Sequence, residues 1–133
     1  MIKILLDTNY AEVSYDDTIC LGKIVWKGAV TAIEYKNSFM VLLDNASKYR
    51  TEYFLSDTTN QGVIGTENRK WFEEYAMPEA VKRGLKKAAV VITANVFKKY
   101  YINMILASSK KFNLSIKAFS KEEEALIWLQ TKD

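Results

Sequence analysis

Histidine is absent from this chain, and a single cysteine, a single proline and five glycines are spread over its 133 residues. Without histidine the commonest general base is missing, and with it Ser–His and Cys–His nucleophile pairs and most zinc sites. Cys20 has no partner for an internal disulfide. Within Ile19-Cys20-Leu21 it reads as a small core residue, because only Lys23 lies close enough in sequence to activate a thiol. Neither a G-x-x-x-x-G-K-[ST] loop nor a G-x-G-x-x-G turn occurs, and Gly62-Val-Ile-Gly65 is too short for either, so nucleotide chemistry loses its usual scaffold. No apolar run approaches the ~20 residues of a membrane span. The apolar stretch from Ile2 to Leu6 is also too short for a signal-peptide core, and a cytoplasmic location is expected.

What is present suits an ordered domain. Hydrophobic residues make up 49% and charged residues 26%, and a chain of 133 residues is of a size to bury a core of its own, so residues 1–133 read as one domain. The formal net charge of +3 is unevenly spread: residues 69–121 carry twelve bases and three acids, while both flanking stretches are net acidic. Such a basic stretch can attract nucleic acid. Here, however, the bases come in the pairs Lys82-Arg83, Lys86-Lys87, Lys98-Lys99 and Lys110-Lys111, at the ends or outer faces of separate elements. They read as solvated faces, and no nucleic-acid partner is expected.

Hydrophobic period then sets the elements. Ala11, Val13 and Tyr15 alternate with Glu12, Ser14 and Asp16, which predicts a half-buried strand. Asp16-Asp17-Thr18 turns the chain, and the β-branched run from Ile19 to Trp26 predicts an antiparallel partner. Thr31 and Glu34 have capping-box spacing at the start of a helix. Its apolar stripe of Ala32, Tyr35, Phe39, Leu42, Leu43 and Ala46 runs to about Tyr49. Tyr53 to Leu55 is a short strand, and Thr66 is placed to cap the next helix, which carries Trp71, Phe72 and Tyr75 before Pro78 interrupts its ladder and opens a final turn through Ala80 and Val81. Gly84 suits that helix's end. The unbroken apolar run Ala88 to Ile92 predicts the middle strand of the sheet. A helix opened by Thr93 or Asn95 follows, burying Phe97, Tyr100, Tyr101, Met104 and Ile105. Then come a strand from Leu114 to Phe119, a second capping box from Ser120 to Glu123, and a last helix burying Ala125, Leu126 and Leu129. The fold class is α/β: a mixed open sheet of about five strands with about four helices, in the order ββαβαβαβα, the last three strands parallel.

Chemistry has few places to reside. Asp16-Asp17, Glu73-Glu74 and Glu122 to Glu124 are adjacent carboxylates that point apart or serve helix ends, so no catalytic residue, metal ligand or cofactor site is assigned. The best functional candidate is Ser56, Asp57, Thr58 and Asn60, with Thr66 beyond them. This segment leaves the carboxyl end of a sheet strand and leads into a helix, where open α/β sheets hold ligands and anions. Trp71 and Tyr100 mark an aromatic-lined pocket as the alternative, one suited to a small hydrophobic molecule or lipid.

Several motifs together resemble the STAS-like proteins of Bacteroidetes, distant relatives of anti-sigma-factor antagonists and of CRAL-TRIO lipid-binding folds. They are Trp26-Lys27-Gly28, Trp71-Phe72 with Pro78-x-Ala80, Gly84-Leu85-Lys86-Lys87, Val96-Phe97, and Glu123-Glu124-Ala125-x-x-Trp128-Leu129. The resemblance spans about Tyr10 to Leu129. It implies a non-catalytic regulatory domain that binds a protein partner or small ligand; a homodimer is compatible with any of these readings, though the sequence has no heptad seam to mark one. In anti-sigma-factor antagonists a phosphorylatable serine opens the corresponding helix within a D-S-S/T-G context. This chain offers Asp57, Thr58, Asn60 and Thr66 there, without that motif.

Overall fold

The computed structural model describes residues 1–62, 64–92, 103, 106–107 and 110–131. Six strands form one sheet in strict sequence order: β1 (Ile2–Asp7), β2 (Ala11–Asp16), β3 (Leu21–Trp26), β4 (Tyr53–Asp57), β5 (Lys87–Val91) and β6 (Ser115–Phe119). Strands β1 to β3 are antiparallel, and β3 to β6 are parallel. Helix α1 (Ala32–Asp44) connects β3 to β4. Helix α2 (Thr66–Trp71), a π-turn (Phe72–Ala76) and helix α3 (Met77–Lys82) connect β4 to β5, and helix α4 (Glu122–Gln130) follows β6.

A parallel sheet that always adds its next strand on the same side keeps crossovers of one hand on one face. Side chains of α1 accordingly pack with Ala11, Val13, Ile24 and Trp26, whereas α4 packs Ala125 and Leu129 against Leu21, Leu55, Ala89 and Val91 on the opposite face. The two sets alternate along each strand, which is the period-two rule at work. Sequential order also makes β5 the strand next to the edge and not the middle one, although all five of its residues are buried. An apolar run reports cover on both faces; it does not report position in the sheet.

Other departures have local causes. Strand β1 was not expected, because its register breaks between Ile4 and Leu6 and blurs the alternation of Ile-Lys-Ile-Leu-Leu. The second hairpin strand begins at Leu21, since Cys20 takes a left-handed conformation (φ 53°) that closes the turn. Helix α1 stops at Asp44. Asn45 donates its side-chain amide to Val41 O at 2.7 Å, occupying the carbonyl that its own backbone N–H would serve in a continuing helix. The capping box at Thr31 and Glu34 forms in both directions, at 3.2 and 2.9 Å. The one expected at Ser120 does not, because the cap is Lys121, which makes no side-chain bond. Thr66 is likewise the first helical residue, behind Gly65 as cap. Pro78 opens a further stretch of helix, as expected, at the start of α3, and ahead of it Met77 N–H reaches back five residues to Phe72 O in a widened π-turn. Gly84 ends α3 at φ 112°, a conformation an L side chain rarely adopts. Thr93, Asn95, Phe97, Tyr100, Tyr101, Met104 and Ile105, on which the next helix was predicted, lie outside the described residues.

Neither α1 nor α4 has a base in its own last turn, and each is served by a cation from elsewhere. Arg83 donates to Leu43 O. Lys87, expected on a solvated face, is instead 4% exposed, and donates to Thr131 O at 2.7 Å and Trp128 O at 3.3 Å beneath the Trp128 ring. Placing the cation there satisfies helix-end carbonyls and the negative end of the α4 dipole together. Hydrogen bonds to charged groups contribute roughly 1.5–3 kcal/mol. Lys87→Met, which keeps the stem and removes the charge, is expected to lower stability by about 2 kcal/mol in urea unfolding.

At the amino end of β4, beside the start of β5, the Glu52 carboxylate meets Lys86 at 2.8 Å and Arg50 at 3.2 Å. The bond from Lys86 holds the Glu52 pKa below its ordinary value, and that of Lys86 rises in return. A depressed carboxylate contributes stability above its unfolded pKa and loses it as pH falls through the folded one. The lysine contributes below its own unfolded pKa and loses that as pH rises through the folded value. Glu52→Gln is therefore expected to flatten the acid side of the stability curve, read as urea midpoints between about pH 3 and 7.

Candidate functional site

The loop that leaves β4 is bound from within. Ser56 points to the α1 side of the sheet, where its Oγ accepts the Trp26 indole N–H at 3.0 Å in a buried site. Thr58 is 5% exposed, and both its backbone N–H (2.9 Å) and its hydroxyl (2.8 Å) donate to Val91 O at the end of β5. Asp57 Oδ1 accepts from Thr59 N–H at 3.0 Å, Gln61 N–H donates to Thr58 O at 3.1 Å, and Gly62 N–H donates to Gly28 O at 3.3 Å. Gly62 is there because of space: a Cβ would come within 3.0 Å of the Ala29 Cα.

The five candidate residues therefore divide. The hydroxyls of Ser56 and Thr58 are turned inward and hold the loop to the sheet. Asp57 is half-buried and shapes the turn, while Asn60 and Thr66 are exposed, with Thr66 Oγ1 accepting from Arg69 at 3.1 Å. Alternation at the strand end turns Ser56 and Thr58 inward and Asp57 the other way, whereas Asn60 in the turn and Thr66 at the helix start lie beyond the strand. Sequence reasoning missed Trp26, Gly28, Gly62 and Val91 as the residues that position this loop. Only Gly62 carried a signal, as a lone glycine in a polar segment.

Trp71 is half-buried, stacked on Tyr75 at 5.6 Å and set edge-on to Tyr35 at 6.2 Å. Tyr100 lies outside the described residues. An apolar cavity of about 70 Å³ lies between α1, the α2–α3 connection and the sheet, with Phe39, Phe54, Phe72, Met77 and Leu114 among its walls; Trp71 is not one of them. Pockets for drug-sized ligands run to roughly 300–1,000 Å³. A second cavity, of about 30 Å³, touches Ser56, Thr58 and Gln61 beneath the loop. That volume suits a water molecule or two, at roughly 10–15 Å³ each by this measure.

The carboxylates do not converge. Asp16 accepts Thr18 N–H in the hairpin turn, Glu73 and Glu74 lie in the π-turn, and Glu122 pairs with Lys23. Among the described residues no three of Cys, Asp and Glu gather as a metal site, and no helix is long and apolar enough to cross a membrane. Cys20 is half-buried near Tyr15, whose phenol donates to Arg50 O and is pushed up to about 12, chiefly by burial.

No protein-family model matches this sequence, and no curated protein does. Among solved structures it is similar to an uncharacterised protein of the DUF3478 family with a SpoIIAA-like fold, from Shewanella loihica PV-4. The TM-score is 0.56 at 15% identity, over 97% of this chain and 92% of that one. The fold is thus SpoIIAA-like, the STAS-like architecture that the sequence motifs implied.

If contact with Ala29 sets the loop, Gly62→Ala forces backbone apart. The expected cost is about 1–3 kcal/mol in thermal or urea unfolding. Gly65→Ala, where a Cβ meets nothing within 4 Å, is the control and carries only the smaller cost of alanine at a helix cap.

Proposed function

We propose that this chain is a non-catalytic regulatory or interaction domain, binding a protein partner or small ligand through the loop between β4 and α2. The observation that carries the reading is the division just described. Inward bonds from Ser56, Thr58 and Gly62 stiffen the loop, while Asn60 and Thr66 stay exposed at the carboxyl end of the parallel strands. A surface ordered before binding loses less conformational freedom on association, so more of its contact energy appears as affinity. The location also fits the rule for open α/β sheets, whose ligands sit past the carboxyl ends of strands. SpoIIAA-like folds generally act without catalysis, which supports the non-enzymatic half of the reading. Its setting is the cytoplasm.

Carriage of a hydrophobic molecule or lipid ranks second. The cavity bounded by Phe39, Phe54 and Phe72 favours it by composition and disfavours it by volume.

The test compares wild type with Asn60→Arg, Thr66→Glu and Asp57→Ala as immobilised baits, followed by affinity measurement on each captured species. Loss of one specific binder by at least about tenfold in the two surface variants, with circular dichroism unchanged, is the expected outcome. Equal retention of every binder by all three variants rejects this surface.

A further inference from the structure

The sheet has two edges, and they differ. Strand β1 is broken in register between Ile4 and Leu6, and its Asp7 is held by Lys27 at 3.0 Å. A bulge of this kind twists an edge away from further pairing. Strand β6 is regular: Ser115 to Phe119 pair with Lys87 to Val91 without a register shift, and among the described residues no strand lies on its other side. Phe119 O accepts Ile92 N–H at 2.9 Å, so the backbone groups of Phe119 face β5. Because N–H and C=O alternate sides along a strand, Ile116 and Ala118 turn theirs to the open edge.

The described charges within this edge and at its amino end are all basic. Lys110 and Lys111 precede β6, Lys117 lies within it and Lys121 follows it, and all four are exposed. None forms an ion pair with a described residue; Lys111 and Lys117 lie over the rings of Phe112 and Phe119. At the carboxyl end Lys121 is followed by Glu122, Glu123 and Glu124 on the first turn of α4, of which Glu122 is taken by Lys23. A lysine within an edge strand can guard it against pairing. One lysine suffices for that, however, and Lys110, Lys111 and Lys121 lie outside the strand, where they cannot block a ladder but do extend its positive field.

We propose that the β6 edge is a docking site for an extended acidic peptide segment of a partner protein. The segment adds a seventh strand by hydrogen bonding to Ile116 and Ala118 and sets its acidic side chains against Lys117 and the flanking lysines. Main-chain bonds supply affinity in this mode, and alternate side chains supply specificity. The site is separate from the β4–α2 loop, and either stands without the other.

The probe is a labelled peptide of roughly ten residues alternating Val and Glu, with a Val and Lys counterpart and a single-stranded oligonucleotide as competitors. Fluorescence anisotropy should show the acidic peptide binding, more weakly as salt rises, with amide shifts concentrated at residues 115–119. Ala118→Pro removes an outward N–H at an edge position that tolerates proline. It should weaken binding at least about tenfold with the thermal midpoint unchanged. Lys117→Glu, which leaves the backbone alone, should weaken the acidic peptide and admit the basic one. Four results overturn the proposal: no binding of the acidic peptide, binding indifferent to both variants, tighter binding of the oligonucleotide, or a homodimer that Ala118→Pro dissolves.

Discussion

The Trp26 indole is the joint on which the α1 face depends. It is 1% exposed, stacks on Tyr35 at 5.3 Å and touches Phe39 at 5.6 Å, while Nε1 donates to Ser56 in the neighbouring strand. One side chain thus ties β3, β4 and α1 together and orients the residue from which the candidate loop departs. Its burial and aromatic contacts supply stability, and its single donor supplies direction, because a buried N–H without an acceptor costs roughly 1–3 kcal/mol. The loop's shape is in this sense a consequence of core packing.

The second organising constraint is the sequential strand order. It assigns both described crossovers to one face and leaves the other to α4, which has no following strand to fix it. That helix is held by Ala125 and Leu129 in the core, by the Lys23–Glu122 pair at its start and by Lys87 beneath its end. The burial of Lys87 follows from this geometry: a helix terminus laid across a strand offers carbonyl oxygens where a lysine would otherwise have none. Arg83 does the same for α1.

Local signals were legible where one or two neighbouring residues decide the outcome. The box at Thr31 and Glu34, the end at Gly84 and the buried stripe of Tyr35, Phe39, Leu42 and Leu43 could all be read from spacing. Features depending on distant partners could not. Strand β1 exists because β2 offers it a ladder, the π-turn exists because Pro78 must be accommodated within a packed helix, and the Ser120 box fails because the chain enters α4 one residue later. In the candidate loop, position was legible and orientation was not. Nothing local distinguishes Ser56 and Thr58, bonded to Trp26 and Val91, from Asn60 and Thr66 in solvent.

By itself, then, the sequence determined the α/β class, the hairpin, the parallel strands, the poverty of catalytic groups and the place where a polar loop meets a helix. Periodicity, capping and the absence of histidine are properties of short stretches or of composition, and they hold however the chain is wound. Tertiary structure alone decided the order of the sheet, the burial of Lys87, the difference between the two edges and the direction of each loop hydroxyl. Each of these turns on which distant atom lies across a gap of about 3 Å, the reach of a single hydrogen bond.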